Sequence, residues 1–434
     1  MKRYNFIFLL LVILLFPNLS IGANHYIRAG ASGNLSGTDW INAYNDLPST
    51  LVRGDTYYVA AGTYSGYNFD DDESGSSYIY IKKATISDHG TSIGWNNFYG
   101  EGEAIFNGGI TFGSSFWEID GSVGSGQSGH GIRIQSNGSQ KVVAMSNQSH
   151  IHIRHCNLDH QGNVSQSGLD IIYANSVRVS STDIQISYCY LHDCGRCPIL
   201  LTHTNNSIIE YCYISRNKLY QSDHSEGYSA NFGGTDQGHN VVRFNIWKDI
   251  GGTGQIMITG DYWDIYGNLF YWTGTGYPNN TDCVVGNWSG KDQAVFGSSF
   301  VKVYNNTIVD ISGGGTIDCE IYFYPGEQGN EAFNNLWVNC RSARITNANI
   351  QSSNVFYGNN NLFEDYENDN FILRMSTVPG TQLAAPYDRD MYGNIRGVDG
   401  IWDVGAFEFN SSGDSNNAPS PPAGLKIVTN DHKI

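Results

Sequence analysis

One short phrase recurs four times in the middle of the chain: IQISYCYL (184–191), SIIEYCYI (207–214), NVVRFNIW (240–247) and WDIYGNLF (263–270). Each copy alternates apolar and polar residues, reaches an aromatic or small residue, turns on Cys or Asn, and closes with a second apolar run. Further copies flank these: IHIRHCNL (151–158), VKVYNNTI (301–308), EAFNNLWV (331–338) and a weaker YGNNNLF (357–363). The pivots are Cys156, Cys189, Cys212, Asn245, Asn268, Asn306, Asn335 and Asn361, at gaps of 33, 23, 33, 23, 38, 29 and 26 residues. A repeat of this length, elastic through insertion, belongs to a solenoid.

The alternation has period two and is rich in Val, Ile, Tyr and Phe, so each unit is strand and not helix. The pivot marks a sharp bend between two strands. Asn tolerates a left-handed bend, and its amide reaches the equivalent Asn one coil away. Coils stack at the strand spacing of about 4.8 Å. The column therefore reads as a buried ladder that changes from thiol to amide. Third strands lie between pivots: GLDIIYAN (168–175), PILLTH (198–203), GYSANF (227–232), QIMITG (255–260), CVVGNW (283–288) and CEIYFY (319–324). The expected fold is all-β, a right-handed parallel β-helix with three strands per coil.

With the repeat, the opening GTDWINAY…GDTYYVAAGTYSG (37–66) and the closing GVDGIWDVGAFEF (397–409), the chain resembles the pectate-lyase-like superfamily of right-handed parallel β-helix proteins. The resemblance spans about residues 25–409. It implies an exported protein acting on polysaccharide. It does not choose among lyase, hydrolase, epimerase and non-catalytic members.

Residues 1–23 read as a secretory signal, with Lys2 and Arg3 before the apolar run Phe6–Phe16 and small residues at SIGA (20–23). The run is shorter than the roughly 20 residues of a membrane span. The mature protein is expected outside the cytoplasm, extracellular, periplasmic or at the cell surface, and monomeric. Residues 24–66 form the N-terminal cap and first coil, with Asp39 capping a short helix over WINAYNDL (40–47). The solenoid body covers 67–409, its last coil and cap falling at 366–409. Residues 410–434, dense in Ser, Asn and Pro, read as a tail or linker.

The chain holds 24 Lys and Arg against 41 Asp and Glu, a net charge of −17, or −19 without Lys2 and Arg3. Nucleic acid is excluded as a partner, since it needs a basic face. An acidic surface also repels an anionic polysaccharide unless a cation such as Ca²⁺ intervenes. The eight Cys make no disulfide framework. Cys194 and Cys197 in DCGRCP are the close pair, read as a loop disulfide or two free thiols, because a redox motif needs a βα setting and zinc needs further ligands.

Chemistry is expected in the loops joining the second strand to the third, which can lengthen without disturbing the ladder. SRNKLYQSDHSEGYSANFGG (215–234) stands out. Arg216, Lys218, His224 and Glu226 are the candidate catalytic residues. Ser229, Asn231, His203 and Trp288 are candidates for substrate binding, and Asp193, Asp223 and Glu226 for Ca²⁺. Neighbouring coils add His192 and Arg196 on one side, Lys248 and Asp249 on the other. In β-elimination on a uronate, Lys218, Arg216 or His224 would be the base while a cation steadies the developing charge. In glycoside hydrolysis, Asp223 and Glu226 would flank the bond. A non-catalytic adhesin or sugar-binding spacer is the alternative from another class. The Tyr and Trp residues around 228–288 suit stacking on sugar rings under any of these.

Overall fold

The computed structural model describes residues 22–123, 129–138, 141–162, 168–175, 181–217, 225–230, 237–274, 283–286, 297–312 and 318–409. Residues 1–21, the residues after 409 and several internal stretches lie outside this set.

The repeat unit folds as its alternation demands. The run before each pivot joins a twelve-stranded sheet that extends from Asn24–Ile27 to Ile350–Ser352 and contains Ile184–Ser187, Ile208–Glu210, Val241–Arg243 and Asp264–Tyr266. The run after each pivot builds a second ladder, including Cys156–Asp159, Tyr190–Cys194, Tyr213–Asn217, Ile246–Lys248 and Leu269–Trp272. The expected third strands build a third ladder, through Ile172–Asn175, Ile199–Thr202, Glu226–Ser229 and Gly254–Met257. All these pairings are parallel. In the first coils, Gly62–Phe69 and Ala104–Phe112 each run through both the second and third ladders, with a register shift between Ser65 and Tyr67. The result is a parallel β-helix with three strands per coil. Its interior is one continuous apolar column, filled by Ile153, Ile186, Ile209, Val242, Ile265 and Val303 from the first ladder and their counterparts on the other two.

The pivots Cys156 through Asn335 are all buried. Asn268 donates its amide to Asn306 Oδ1 at 3.0 Å and accepts from the backbone and amide of Asn245, each at 3.0 Å. The ladder ends at Asn354, which accepts from the Asn335 amide at 2.9 Å. Asn361, the last pivot expected from sequence, is exposed and outside the column. The last coil carries no insertion, only 19 residues separating Asn335 from Asn354, so the weak copy at 357–363 misplaces the pivot.

The bend itself differs from expectation. The left-handed residue is the one before the pivot: His155, Tyr188, Tyr211, Phe244, Gly267, Asn305 and Asn334 have φ between 52° and 67°. Turning the chain there aims the pivot side chain inward. It also lines up the preceding rings at the corner, with His155, Tyr188, Tyr211 and Phe244 following one another at 4.9, 4.9 and 5.2 Å.

The expected helix at 40–47 is absent, and no α-helix occurs among the described residues. Asp39 does accept from the backbone of Ile41 and Asn42, but the turn stops there. Tyr44 instead pairs with Ile27 in parallel. The open edge of the first coil is covered by extended backbone, which satisfies it directly, while Trp40 is buried against Tyr26, Trp95 and Tyr99. No helix of the described residues is long and apolar enough to cross a membrane.

After the last coil the chain doubles back. Phe363–Asp365 and Asn370–Leu373 form an antiparallel hairpin. With residues up to Phe407, it lies on the outer face of the second ladder, covering Leu269, Tyr271, Val309, Leu336 and Val338. The outer face of the same ladder before Tyr213 is not part of this apolar layer.

Candidate functional site

The corner between the second and third ladders gathers the charged side chains. On the second ladder, alternation sends the pivot and the residue two after it inward, so Tyr190 and His192 face outward beside buried Cys189 and Leu191. The next coil brings Arg216 over Asp193, both in the left-handed conformation at φ 54°. The guanidinium grips that carboxylate with two bonds, Nε–Oδ1 2.7 Å and Nη2–Oδ2 2.9 Å. It also donates to the Tyr190 hydroxyl at 2.7 Å and lies 2.8 Å from His192 Nδ1. Tyr190 stacks on the His192 ring at 4.0 Å.

His192 is held from both sides. Nε2 faces Asn157 Oδ1 at 2.8 Å, and the Asn157 amide nitrogen donates to Glu103. Nε2 therefore carries a proton. Nδ1 then accepts from Arg216 when the ring is neutral, and donates to Asp193 Oδ2 at 2.6 Å when it is charged. Burial alone would raise the Asp193 carboxyl, but bonds from Arg216 and His192 outweigh it and hold the group well below the usual carboxylate range. Burial disfavours the charge on Arg216, and Asp193 more than offsets that, pushing the guanidinium up. Of this cluster the Arg216 side chain is the most open, at 39 % exposure against 9 % for His192 and 17 % for Asp193.

Two further carboxylates nearby are sealed. Asp159 is fully buried under Arg133, at 2.8 and 3.0 Å. Asp170 is fully buried between Lys141 at 2.5 Å and Arg196 at 2.8 and 2.6 Å. Lys141 also forms one wall of an outer concavity of about 720 Å³, floored by Gly66, Gly108 and Gly109 where two long strands kink.

The residues expected from sequence divide as follows. Arg216 and Asp193 come together. Glu226 is buried at the start of a third-ladder strand, accepting from Cys197 Sγ at 3.3 Å and Thr253 Oγ1 at 2.9 Å. Ser229 is fully buried on the same strand. His203 follows the far end of the neighbouring strand, at a different corner, where its N–H donates to Gln237. Lys218, Asp223, His224, Asn231 and Trp288 lie outside the described residues. Cys194 and Cys197 are free, buried thiols. Cys194 donates to Leu169 O and Cys197 to Glu226, so the close pair is two separate thiols.

The Ca²⁺ set fits poorly on the residues in view. Asp193 is occupied by Arg216, Glu226 by Cys197 and Thr253, and no group of three His, Cys, Asp or Glu side chains arranged for a metal occurs among the described residues. Sequence reading passed over Tyr190, Asn157 and the Asp170 pair. Tyr190 was readable, since it follows a pivot and must face outward. Asp170 was not, because loop lengths decide what it meets.

No family model matches the chain, and no curated protein matches it. Among solved structures it is similar to a pectate lyase, Pel9A, at 10 % identity and a TM-score of 0.44, covering 91 % of this chain and 98 % of that one. A PL6 family polysaccharide lyase from Pseudopedobacter saltans matches at 13 % identity and a TM-score of 0.29, over 78 % and 95 % of the two chains. A PL6 family alginate lyase, AlyGC, in a variant form, matches at 12 % identity and 0.28, over 75 % and 53 %.

Proposed function

We propose that this protein is an exported, lyase-type β-helix that cleaves a uronate-containing polysaccharide by β-elimination at the Arg216 cluster. The observation that carries the reading is a half-open guanidinium in contact with both a phenol and an imidazole. Elimination needs a cation to neutralise the sugar carboxylate and a base at the adjacent carbon. Arg216 supplies the first. Tyr190, whose hydroxyl accepts from Arg216 at 2.7 Å, stands beside that cation and is the favoured base. The base takes the proton α to the carboxylate, the electron pair becomes the ring double bond, and the glycosidic oxygen leaves and takes the proton back from Tyr190. His192, with both nitrogens engaged, positions Tyr190 and Asp193. Lys218 and His224 are the competing bases.

Hydrolysis is less well served. It requires two carboxylates facing a gap, and Asp159, Asp170 and Glu226 are buried and already bonded. Charge neutralisation is assigned to Arg216 and no step runs through Ca²⁺. A second reading, a non-catalytic sugar-binding surface, is favoured by the way Arg216, Asp193, His192 and Tyr190 satisfy one another.

The test is a screen of the purified mature protein against acidic and neutral polysaccharides, with Ca²⁺ or with chelator, following ultraviolet absorbance of unsaturated ends and new reducing ends. The expected outcome is both signals on a uronate polymer, unaffected by chelator and lost in Tyr190→Phe. Reducing ends alone would replace the reading with hydrolysis. Retention on a polymer column without either signal would replace it with binding.

A further inference from the structure

The outward column of the second ladder runs Tyr190, Tyr213, Ile246, Leu269 on successive coils. At Tyr213 it meets the doubled-back C-terminal segment. The junction is a pocket of about 300 Å³ between Tyr213, Ile246 and Tyr271 on the ladder and Asp369, Phe371 and Tyr392 on the segment. Beyond it the column is closed: Ala406 N donates to Thr307 Oγ1, and Leu336 is fully buried. The pocket's rim at Tyr213 shares a strand with Arg216, and its ring is 5.2 Å from that of Tyr190 one coil before.

We propose that this pocket receives the terminal ring of an acidic polysaccharide, so that the protein works from chain ends. The inference rests on the reading of the Arg216 cluster given above. The volume suits one sugar ring and not a continuing chain. The lining also matches a sugar: aromatic walls at Tyr213, Tyr271 and Phe371 for its apolar face, and one polar side at Asp369 and Asn370 for its hydroxyls. Asp369 is fixed there by Lys248, at 2.8 Å.

The experiment has two arms. In the first, polygalacturonate and alginate are digested and the product size is followed with time. Chain-end action yields short products from the start while the remaining polymer stays long. In the second, a galacturonate trisaccharide and a mannuronate trisaccharide are titrated calorimetrically into wild type and Ile246→Trp, which fills the pocket from the ladder side. Binding should weaken at least about tenfold with the melting temperature kept. Should Ile246→Trp melt early, Tyr213→Leu, which removes one aromatic wall, should still weaken binding. Random internal cleavage with both variants unchanged would overturn the pocket and leave the lyase reading standing. Trisaccharide binding that both variants weaken, without any cleavage, would keep the pocket and remove the lyase reading. No binding by wild type would mean the cavity is a packing gap and end the inference.

Discussion

The solenoid has two halves that differ inside and out. In the coils of Cys156, Cys189 and Cys212 the pivot column is held by weak thiol bonds, Cys189 Sγ reaching Ser187 O at 3.3 Å and Ile153 O at 3.6 Å. The outer second ladder there is open and carries the Arg216 cluster. In the coils of Asn245 through Asn354 each amide both gives and receives, and the outer second ladder is covered by the C-terminal segment. At the junction Cys212 N donates to Asn245 Oδ1 at 2.9 Å, and the Asn245 amide donates to Ile209 O at 2.9 Å. The wired half serves as foundation for a covering layer. The thiol half leaves its outer face uncovered by that segment, and its bends are pinned from outside by Arg133–Asp159 and Arg216–Asp193.

The most direct way to break this comparison is to remove one rung from each column. Asn268→Ala orphans the backbone N–H of Asn245, leaves the Asn245 amide only its bond to Ile209 O, and deletes donors to Asn306 and Val242 O. Each buried unsatisfied group costs about 1–3 kcal/mol, so the loss should be about 3–6 kcal/mol. Cys189→Ala removes a small buried group with weak bonds and should cost about 1–2 kcal/mol. Chemical unfolding of both variants measures the difference. Equal losses would show that the amide column is not what distinguishes the halves.

Much of this was legible because burial enforces it. Pivots and alternating strands must face inward in every coil, so their period survives insertions. The same rule aims Tyr190 and His192 outward. Three features escaped for physical reasons. The bend's left-handed residue is Tyr or Phe in three coils, at Tyr188, Tyr211 and Phe244, bulky residues whose intrinsic preference argues against that conformation; ring stacking between coils overrides it. The segment at 40–47 has an Asp cap, but pairing with the open edge at Ile27 stabilises it more than one turn of helix would. The doubling back of 362–407 over the second ladder depends on contacts between residues about a hundred apart in sequence, such as Ala406 with Thr307, and no local pattern announces it.

On the open half, Arg216→Ala should lower turnover at least about 100-fold, the usual scale for losing a preorganised charge-stabilising donor. Arg216→Lys should recover little, since one ammonium cannot hold Asp193, Tyr190 and His192 together. Thermal melting should also fall in Arg216→Ala, because the mostly buried Asp193 carboxylate loses its two bonds from the guanidinium, so turnover is compared at a temperature where both proteins are folded. Wild-type turnover in Arg216→Ala would move the chemistry away from this corner.

The smallest expected effect separates the halves by the sign of their response to pH. Asp193, on the open half, is held below its ordinary value of 3.8 by Arg216 and His192, which outweigh its burial. Its contribution is present above that value and is lost as pH falls through the lower folded value. The covering segment behaves oppositely. Burial raises the carboxyls of Asp390 and Asp403, and it raises Glu408 from 4.5 to about 7, against the lowering effect of the Gly397 N–H and of Arg396. Between pH 4.5 and 7 the folded segment therefore binds the Glu408 proton more tightly than the unfolded chain does, and stability falls as pH rises through that window. A rise from 4.5 to about 7 corresponds to about 3.4 kcal/mol at about 1.4 kcal/mol per tenfold change in proton affinity, and solvent screening of this partly buried carboxyl brings the expected loss to about 1–2 kcal/mol. Amide exchange followed from pH 5 to 7.5, corrected for intrinsic rates, should show residues 370–407 losing protection while Ile184–Ser187 does not. Glu408→Gln should remove most of that slope whatever it does to the melting temperature itself. If the slope persists in that variant, Asp390 and Asp403 carry it. If protection falls equally in both halves, the covering segment and the coils beneath it unfold as one unit, and the boundary at Asn245 is chemical but not mechanical.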